Sequence, residues 1–252
     1  MPRFTRAAWA GTEGMQAAQP TSQAAPPVQQ PTFEQTLASI AKKQASLSAR
    51  WSKADTKQER EAVRKEARAF VTEAIVESIF PAWMGTPWTM YAVKDGLKPD
   101  ALYPGEEGKG VSCSYFIASI LTNAGLRLES RSAFAGAIAL HIQRSLAPDE
   151  EDLHRYWNVT PAEFEDRLVA LGEGLYIVGL NCHVGFIVVE GGEARFVHSS
   201  YVDPFEVVDE KVDASEAIAN SEKSGYVVTT LFKDDRLIEH WLEGKEVAFQ
   251  KP

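Results

Sequence analysis

Five short segments rich in β-branched and aromatic residues follow one another near the end of the chain, with turn residues between them. They are LYIVGL (175–180), HVGFIVV (183–189), EARFVHSS (193–200), FEVVDEKV (205–212) and GYVVTTLF (225–232). A series of this kind is typical of a mostly antiparallel sheet. Segments with helical periodicity precede the series and do not alternate with it, so the order predicts an α+β domain.

The region before the strands contains several segments with helical spacing of apolar residues. The spacing is weak over residues 33–50. A stronger amphipathic helix is predicted to begin near Asp55, where Gln58 completes a capping-box-like start, and to end at Pro81. Further helices are predicted over 113–126, 132–146, 161–172 and 236–244.

Composition and periodicity divide the chain into three parts. Residues 1–31 are dominated by Ala, Gln, Pro, Thr and Ser and are predicted to be a disordered tail or linker, because they bury too little apolar surface to offset chain entropy. Residues 32–82 are interpreted as a helical extension, either a solvated packing element or a partner-binding helix. Residues 83–252 are predicted to form the main domain.

The charge and cysteine content exclude several classes of protein. The chain has 26 Lys and Arg against 35 Asp and Glu, a net charge of −9, which argues against a nucleic-acid partner. Two cysteines do not make a disulfide scaffold or a paired CxxC zinc module. We predict no membrane span and no cofactor, and the first twenty residues show no secretory signal.

Cys113 is a candidate nucleophile because of its position. It follows Gly110-Val111-Ser112 at the predicted start of a helix that Gly125 is expected to stop. The unpaired N–H groups and positive dipole end at a helix start are expected to favour the thiolate, and the N–H of Cys113 is a possible oxyanion donor. The alternative is a small buried apolar side chain.

Two of the five histidines share one predicted hairpin. A two-residue turn at Gly191-Gly192 places His198 opposite Gly185 and therefore on the same face as His183. Strand alternation puts Cys182 on the other face, so we expect an inert Cys182, no Cys113–Cys182 disulfide and no zinc site. The remaining histidines are interpreted as structural or solvated: His141 and His240 in helices, His154 in a polar loop.

These parts together predict cysteine acyl-transfer chemistry. A thiolate at a helix start, an imidazole that takes and returns its proton, and a second ring that fixes the first one's tautomer are what the reaction requires. In this prediction Cys113 is the nucleophile, His183 is the base and His198 orients His183.

Four sequence motifs resemble those of the NlpC-type cell-wall peptidases, a superfamily of papain-like cysteine peptidases. They are Gly85-Thr86-Pro87-Trp88, Cys113-Ser114, His183-Val184-Gly185-Phe186 and Phe196-Val197-His198. The resemblance covers residues 83–232. It implies a papain-like fold, the same three catalytic residues, and hydrolysis of amide bonds in peptidoglycan stem peptides in a bacterial cell envelope or periplasm, with a cytoplasmic location as the alternative.

The chain departs from the family pattern beside the nucleophile. The family has Asp-Cys-Ser-Gly, and this chain has Ser112-Cys113-Ser114-Tyr115, so the acidic residue that reads the substrate amine is missing. Trp88 stands where the family usually has Tyr. We expect Trp88, Ser112, Ser114 and Tyr115 to contact substrate, with loop anchoring as the alternative for the two aromatic residues.

Two other functions are left open by the residues alone. One is a non-catalytic binding module on the same fold, with Tyr115 and Trp88 filling the cleft. The other is a thiol amidase or acyltransferase that acts on a substrate other than peptidoglycan. An enzyme is expected to react with a thiol probe at Cys113 well before Cys182.

Overall fold

The computed structural model describes residues 31–90 and 96–250. The prediction of a disordered tail over residues 1–31 lies outside the described residues, apart from Pro31. From Pro31 onward the described residues form one compact unit. None of the helices in the described part is both long and apolar enough to cross a membrane.

The described part of the chain begins with helices α1 (Phe33–Trp51) and α2 (Lys57–Glu73). Each starts with a complete capping box, in which a threonine side chain and a Gln or Glu three residues later satisfy each other's backbone N–H groups. The N-cap of α2 is Thr56, so the predicted start near Asp55 is confirmed, but the capping box is formed by Thr56 and Glu59 and not by Asp55 and Gln58. The predicted end at Pro81 is wrong.

Pro81 lies inside a helical region that continues through a π-helical turn (Ala74–Ile79) into α3 (Phe80–Trp83). Proline is tolerated there because it occupies the first turn of α3, where its missing N–H matters least. Residues from this region, including Ile75 and Trp83, belong to the same buried cluster as the helix that begins at Cys113.

Six further α-helices and one 3-10 helix (Glu150–Asp152) follow in the described residues. The α-helices are α4 (Cys113–Asn123), α5 (Arg131–Ala135), α6 (Ala139–Leu146), α7 (Pro161–Leu171), α8 (Glu216–Ala219) and α9 (Asp235–Glu243). The single helix predicted over 132–146 is two helices, because the chain leaves helical geometry at Gly136 and is extended at Ile138. The predicted helix at Cys113 is confirmed, and Gly125 follows its end with φ +91°.

Two sheets are present in the described residues. The short strands β1 (Arg127–Leu128) and β8 (Glu246–Val247) pair in parallel. The main sheet is antiparallel and contains β2 (Leu153–Tyr156), β3 (Gly174–Gly179), β4 (Val184–Glu190), β5 (Glu193–Ser199), β6 (Val207–Lys211) and β7 (Tyr226–Thr230), in the order β2-β7-β3-β4-β5-β6. The α+β class and the antiparallel sheet are therefore confirmed. Strand β2, which carries His154, was not predicted.

The main sheet is buried on both faces, which explains the nearly continuous apolar runs in its central strands. Phe186 and Val197 pack into the cluster that contains α4, whereas Ile187 and Phe196 pack into a second cluster with Phe164 of α7. Alternate residues of a strand thus enter different halves of the core. Residues at the ends of β4 and β5 lie where the sheet meets the start of α4.

Candidate active site

Helix α4 begins at Cys113, and its first turn differs from those of α1, α2 and α7. Ser112 occupies the N-cap position, but its side chain makes no capping hydrogen bond, whereas the other three helices start with complete capping boxes. The first backbone hydrogen bond of α4 runs from the N–H of Phe116 to the carbonyl of Ser112. The N–H groups before Phe116 are thus left without intrahelical partners at the positive end of the helix dipole.

The segment that leads into α4 is held by two neighbouring stretches of backbone. Gly110 has no room for a side chain, since a Cβ atom there would lie 2.6 Å from Thr89 Cγ2 and 2.8 Å from the carbonyl oxygen of Pro87. The N–H of Val111 donates to that carbonyl at 2.9 Å. The hydroxyl of Ser199 donates to the carbonyl of Val111 at 2.7 Å, which fixes the start of α4 against the end of β5.

The β4–β5 hairpin has the predicted register, with Glu190 opposite Glu193 across a two-residue turn. Gly185 lies opposite His198, and its missing side chain is required there. A Cβ atom at Gly185 would lie 2.8 Å from His198 Cβ and 2.4 Å from Phe196 Cε2. The prediction that His183 and His198 come together is confirmed by this geometry and by the contact between their rings.

A chain of hydrogen bonds connects two imidazoles and a carboxylate. His183 Nε2 lies 2.7 Å from His198 Nδ1, and His198 Nε2 lies 3.0 Å from Glu210 Oε1. Burial acts to raise the pKa of the Glu210 carboxyl, but hydrogen bonds from His198 and Ser215 hold that pKa below its ordinary value. Glu210 is therefore an ionised acceptor at neutral pH.

Sequence reasoning missed Glu210, although the signal was present. His198 pairs with Val208 across β5 and β6, and Glu210 stands two residues further along β6, on the same face. Counting the register across a third strand would have placed this carboxylate diagonally next to His198. The residues between β5 and β6 give no two-residue turn from which to count.

The carboxylate assigns the proton positions along the chain. Because Glu210 accepts, His198 Nε2 carries the hydrogen, and a neutral His198 then has Nδ1 as its acceptor. His183 Nε2 must therefore donate to His198 Nδ1, which leaves His183 Nδ1 without a proton. That nitrogen makes no hydrogen bond with another described residue, so it is available as a base.

Both imidazoles are buried and neutral. His183 is 4% exposed and His198 is fully buried. Burial lowers the pKa of His183 well below its ordinary value, and the neighbouring His198 adds to this effect. Burial also lowers the pKa of His198, with Glu210 acting in the opposite direction. Tyr201 covers the His183 ring at 5.0 Å and Phe196 stacks on His198 at 4.0 Å, each between ring centroids.

The expected thiolate at Cys113 is not what the structure indicates. Burial raises the pKa of the Cys113 thiol, although the backbone N–H groups of Val184, Ser114 and Cys113 act to lower it. Desolvation of the sulfur outweighs the helix start. In the described residues no hydrogen bond joins this thiol to His183. The raised pKa of the thiol and the lowered pKa of His183 both favour the neutral form in the resting site.

One cavity of about 690 Å³ is lined by both Cys113 and His183. Ser112, Ser114 and Tyr115, three of the four predicted substrate contacts, also line it. The hydroxyl of Ser114 already donates to the carbonyl of Ala135, and the guanidinium of Arg131 lies 5.8 Å from the centre of the Tyr115 ring. These two side chains therefore help to build the wall of the cavity.

Trp88, the fourth predicted contact, is not part of the described cavity lining. The backbone N–H of Trp88 donates to the backbone carbonyl of Phe205 at 2.8 Å, and the rings of these two residues lie 6.3 Å apart between centroids. Trp88 thus has the loop-anchoring role that was its alternative. Met90, two residues further along, lines the cavity instead.

Cys182 does not have the predicted environment. It is exposed and lines the same cavity as Cys113. The prediction extended strand alternation to a residue outside the strand, because β4 begins only at Val184. The N–H of Leu180 donates to the carbonyl of His183 at 2.8 Å, so Cys182 lies in a tight turn between β3 and β4. Preferential labelling of Cys113 by a simple thiol probe is therefore no longer expected.

The other histidines lie in elements away from this chain of hydrogen bonds: His141 in α6, His154 in β2 and His240 in α9. The prediction of a polar loop for His154 is wrong, since β2 pairs with β7. Among residues 31–90 and 96–250, no three His, Cys, Asp or Glu side chains are grouped as metal ligands.

Comparison with known proteins gives no relative. No protein-family model matches the chain, and neither a curated protein nor a solved structure matches it.

Proposed function

We propose that this protein is a cysteine-dependent amide hydrolase with a papain-like, NlpC-type arrangement, in which Cys113 is the nucleophile and His183 is the general base. The observation that carries the proposal is the hydrogen-bond chain from Glu210 through His198 to His183, which ends in the cavity that Cys113 also lines. Glu210 and His198 act as positioning residues, since they fix the tautomer and orientation of His183.

The first half-reaction forms a thioester. The Cys113 thiol gives its proton to His183 Nδ1 while the sulfur bonds to the substrate carbonyl carbon. Uncapped N–H groups of the first α4 turn, that of Cys113 among them, stabilise the negative charge on the carbonyl oxygen. The carbon–nitrogen bond then breaks, and the proton moves from His183 to the departing amine.

The second half-reaction regenerates the thiol. Water gives a proton to His183 Nδ1 and its oxygen bonds to the thioester carbon. The carbon–sulfur bond breaks, the acid departs, and the proton returns from His183 to the sulfur of Cys113. One amide and one water become one acid and one amine. Because the resting thiol and imidazole are neutral, the proton leaves the thiol in the first half-reaction, and water in the second, as the new bond to carbon forms.

The resemblance to NlpC-type peptidases points to peptidoglycan stem peptides in a cell envelope as the substrate. A second candidate, a thiol amidase or acyltransferase with another substrate, is favoured by a specific observation. The described residues that line the cavity include no Asp, Glu, Lys or Arg to pair with the charged groups of a stem peptide.

The test compares Cys113→Ala with the matched variant Cys182→Ala, which removes the other thiol that lines the cavity. Each protein is mixed with muropeptides and with activated acyl esters, and turnover and the intact mass are recorded. We expect wild type and Cys182→Ala to turn over at least one substrate and to show an acyl adduct on Cys113. Equal turnover by Cys113→Ala would overturn the role of Cys113. No turnover and no adduct in wild type would overturn the proposal and leave the binding module.

A further inference from the structure

We infer that the cavity beside Cys113 takes an uncharged, apolar acyl group, such as the hydrocarbon chain of a fatty amide, ester or thioester. The inference rests on the proposed function, because it names the acyl part of the substrate that Cys113 would attack. It departs from the charged stem peptide that the sequence resemblance implies.

The lining of the cavity is mostly apolar. It includes the stretch from Ala137 to Leu140, which enters α6, and Gly179, Leu180 and Val227, together with polar residues such as Asn181 and Ser224. No described lining residue carries a charged side chain. A carboxylate or ammonium on the bound acyl group would therefore lose water without gaining a charged partner among the described lining residues, which is unfavourable.

Two of the polar side chains in the lining are already engaged. The amide nitrogen of Gln143 donates to the carbonyls of Ile177 and Val227, at 3.1 and 2.8 Å. The hydroxyl of Ser114 donates to the carbonyl of Ala135. These bonds engage the Ser114 hydroxyl and the Gln143 amide nitrogen, whereas Gln143 Oε1 is buried without a hydrogen-bond partner among the described residues.

Gly179 lets β3 and α6 pack closely beside the cavity. A Cβ atom at Gly179 would lie 2.8 Å from Ala139 Cβ and 2.8 Å from Gln143 Oε1, so glycine is needed where β3 meets α6. The volume of about 690 Å³ lies within the range of roughly 300–1,000 Å³ common for sites that enclose small molecules.

Exposed apolar side chains continue the apolar surface beyond the cavity. Met90 is 45% exposed and Ile138 is 63% exposed, and both line the cavity. Trp157, which is 59% exposed, lies against Gly225 of the lining, where a Cβ atom would be 2.6 Å from Trp157 Cδ1. They are three of the five large apolar side chains that are exposed among the described residues. Large apolar groups left in water around a cavity favour a ligand that covers them.

The first experiment measures kcat/KM for p-nitrophenyl esters with acetyl, butyryl, hexanoyl and octanoyl groups, and for the succinyl ester as the charged partner of butyryl. Burying one methylene increases a binding constant about fourfold. We therefore expect kcat/KM to rise about fourfold per added methylene until the cavity is full. We expect butyryl to exceed succinyl at least tenfold. A flat series, or a succinyl ester as good as the butyryl ester, would overturn the inference.

The second experiment measures binding without catalysis. Octanamide is titrated by calorimetry into the single variant Cys113→Ala and into the double variant that also carries Leu140→Asp. The second substitution puts a charge into the cavity. His141→Asp is the matched control, because it is the next residue of α6 and is outside the described lining. We expect Leu140→Asp to weaken binding at least tenfold and His141→Asp to leave it within twofold.

Ile138 is exposed, so a substitution there tests ligand binding without disturbing the packing of the hydrophobic core. We expect Ile138→Glu to keep the wild-type melting temperature and to weaken octanamide binding. Binding of octanamide without turnover of any ester by wild type would overturn the proposed function alone. Turnover through Cys113 without octanamide binding, and without a chain-length preference, would overturn this inference alone.

Discussion

Charged and titratable groups meet in two very different regions of this molecule. On the helical side, Lys43 Nζ lies 2.8 Å from Glu66 Oε1 with both side chains about 40% exposed, and Arg50 pairs with the same carboxylate. In the sheet, the rings of His183 and His198 are buried. Their hydrogen-bond chain ends at the partly exposed carboxylate of Glu210. Hydrogen bonds from Lys43 and Arg50 lower the pKa of Glu66, whereas burial lowers the pKa of the histidines.

The comparison shows that similar contacts serve different purposes. An exposed ion pair contributes about 0–1 kcal/mol, because water solvates both partners when the pair breaks. A buried chain of hydrogen bonds leaves an unpaired polar group behind when one member is lost, which costs more. The helical pairs therefore adjust stability slightly, and the buried chain sets the protonation state of the candidate active site.

The largest expected effect is that of Glu210→Gln on turnover. An amide is able to donate to His198 Nε2, which would reverse the hydrogen-bond chain and put a proton on His183 Nδ1. We expect kcat to fall about 100-fold, with KM within about threefold of wild type. Steady-state kinetics with an activated ester measures this.

Glu193→Gln is the matched control. It makes the same change at an exposed residue that begins β5, whereas His198 lies near the other end of that strand. It should leave kcat within twofold. Wild-type kcat in Glu210→Gln would show that the carboxylate does not position the imidazoles.

Gly185→Ala should disturb the hydrogen bond between His183 and His198 through a steric clash, without removing any polar group. The new Cβ atom would collide with Phe196 and His198, and we expect a loss of about 1–3 kcal/mol in the free energy of unfolding. Urea unfolding measures the stability, and the imidazole proton resonances report whether His198 has moved. An unchanged free energy of unfolding would mean that the hairpin relaxes without cost.

The pH dependence of stability has the same sign in the two regions but a different pH range, because the ordinary pKa is about 4.3 for a glutamate such as Glu66 and about 6.5 for a histidine. Since burial lowers the pKa of His183 and His198 in the folded protein, the unfolded chain binds more protons as pH falls below about 6.5. We therefore expect their contribution to the free energy of unfolding to decrease as pH falls from about 6.5. Urea titrations of wild type and of His183→Gln from pH 7.5 to 5.5 measure this. An equally steep decrease in the variant would contradict the assignment to His183.

The smallest effect is expected for Lys43→Met on the helical side. Glu66 keeps Arg50 as a partner and both groups are solvated, so the free energy of unfolding should change by less than about 1 kcal/mol. Repeating the urea titration in 1 M NaCl should make the difference smaller still. If the free energy of unfolding fell by more than about 2 kcal/mol, the Lys43–Glu66 pair would behave like a buried interaction and not like an exposed ion pair.

Local patterns predicted the parts of the site that depend on neighbouring residues. The turn at Gly191-Gly192 and the two-residue period of a strand were enough to bring His183 and His198 together. The helix start at Cys113 followed from the apolar spacing after it. In each of these cases, the information lies within about 16 residues of sequence.

The parts that were wrong or missed depend on tertiary contacts. The protonation state of Cys113 depends on desolvation by elements distant in sequence, which outweighs the helix dipole. The environment of Cys182 depends on where β4 begins, and that of Glu210 depends on a register across three strands. Whether the motifs indicate an NlpC-type peptidase stays a prediction.

The raised pKa of Cys113 also has a consequence for chemical durability. Peroxide oxidises thiolates much faster than thiols. A nucleophile that waits as a neutral thiol and is deprotonated only when substrate is bound spends little time in the vulnerable form. The burial that raises the pKa of the sulfur would therefore also slow its oxidation between turnovers.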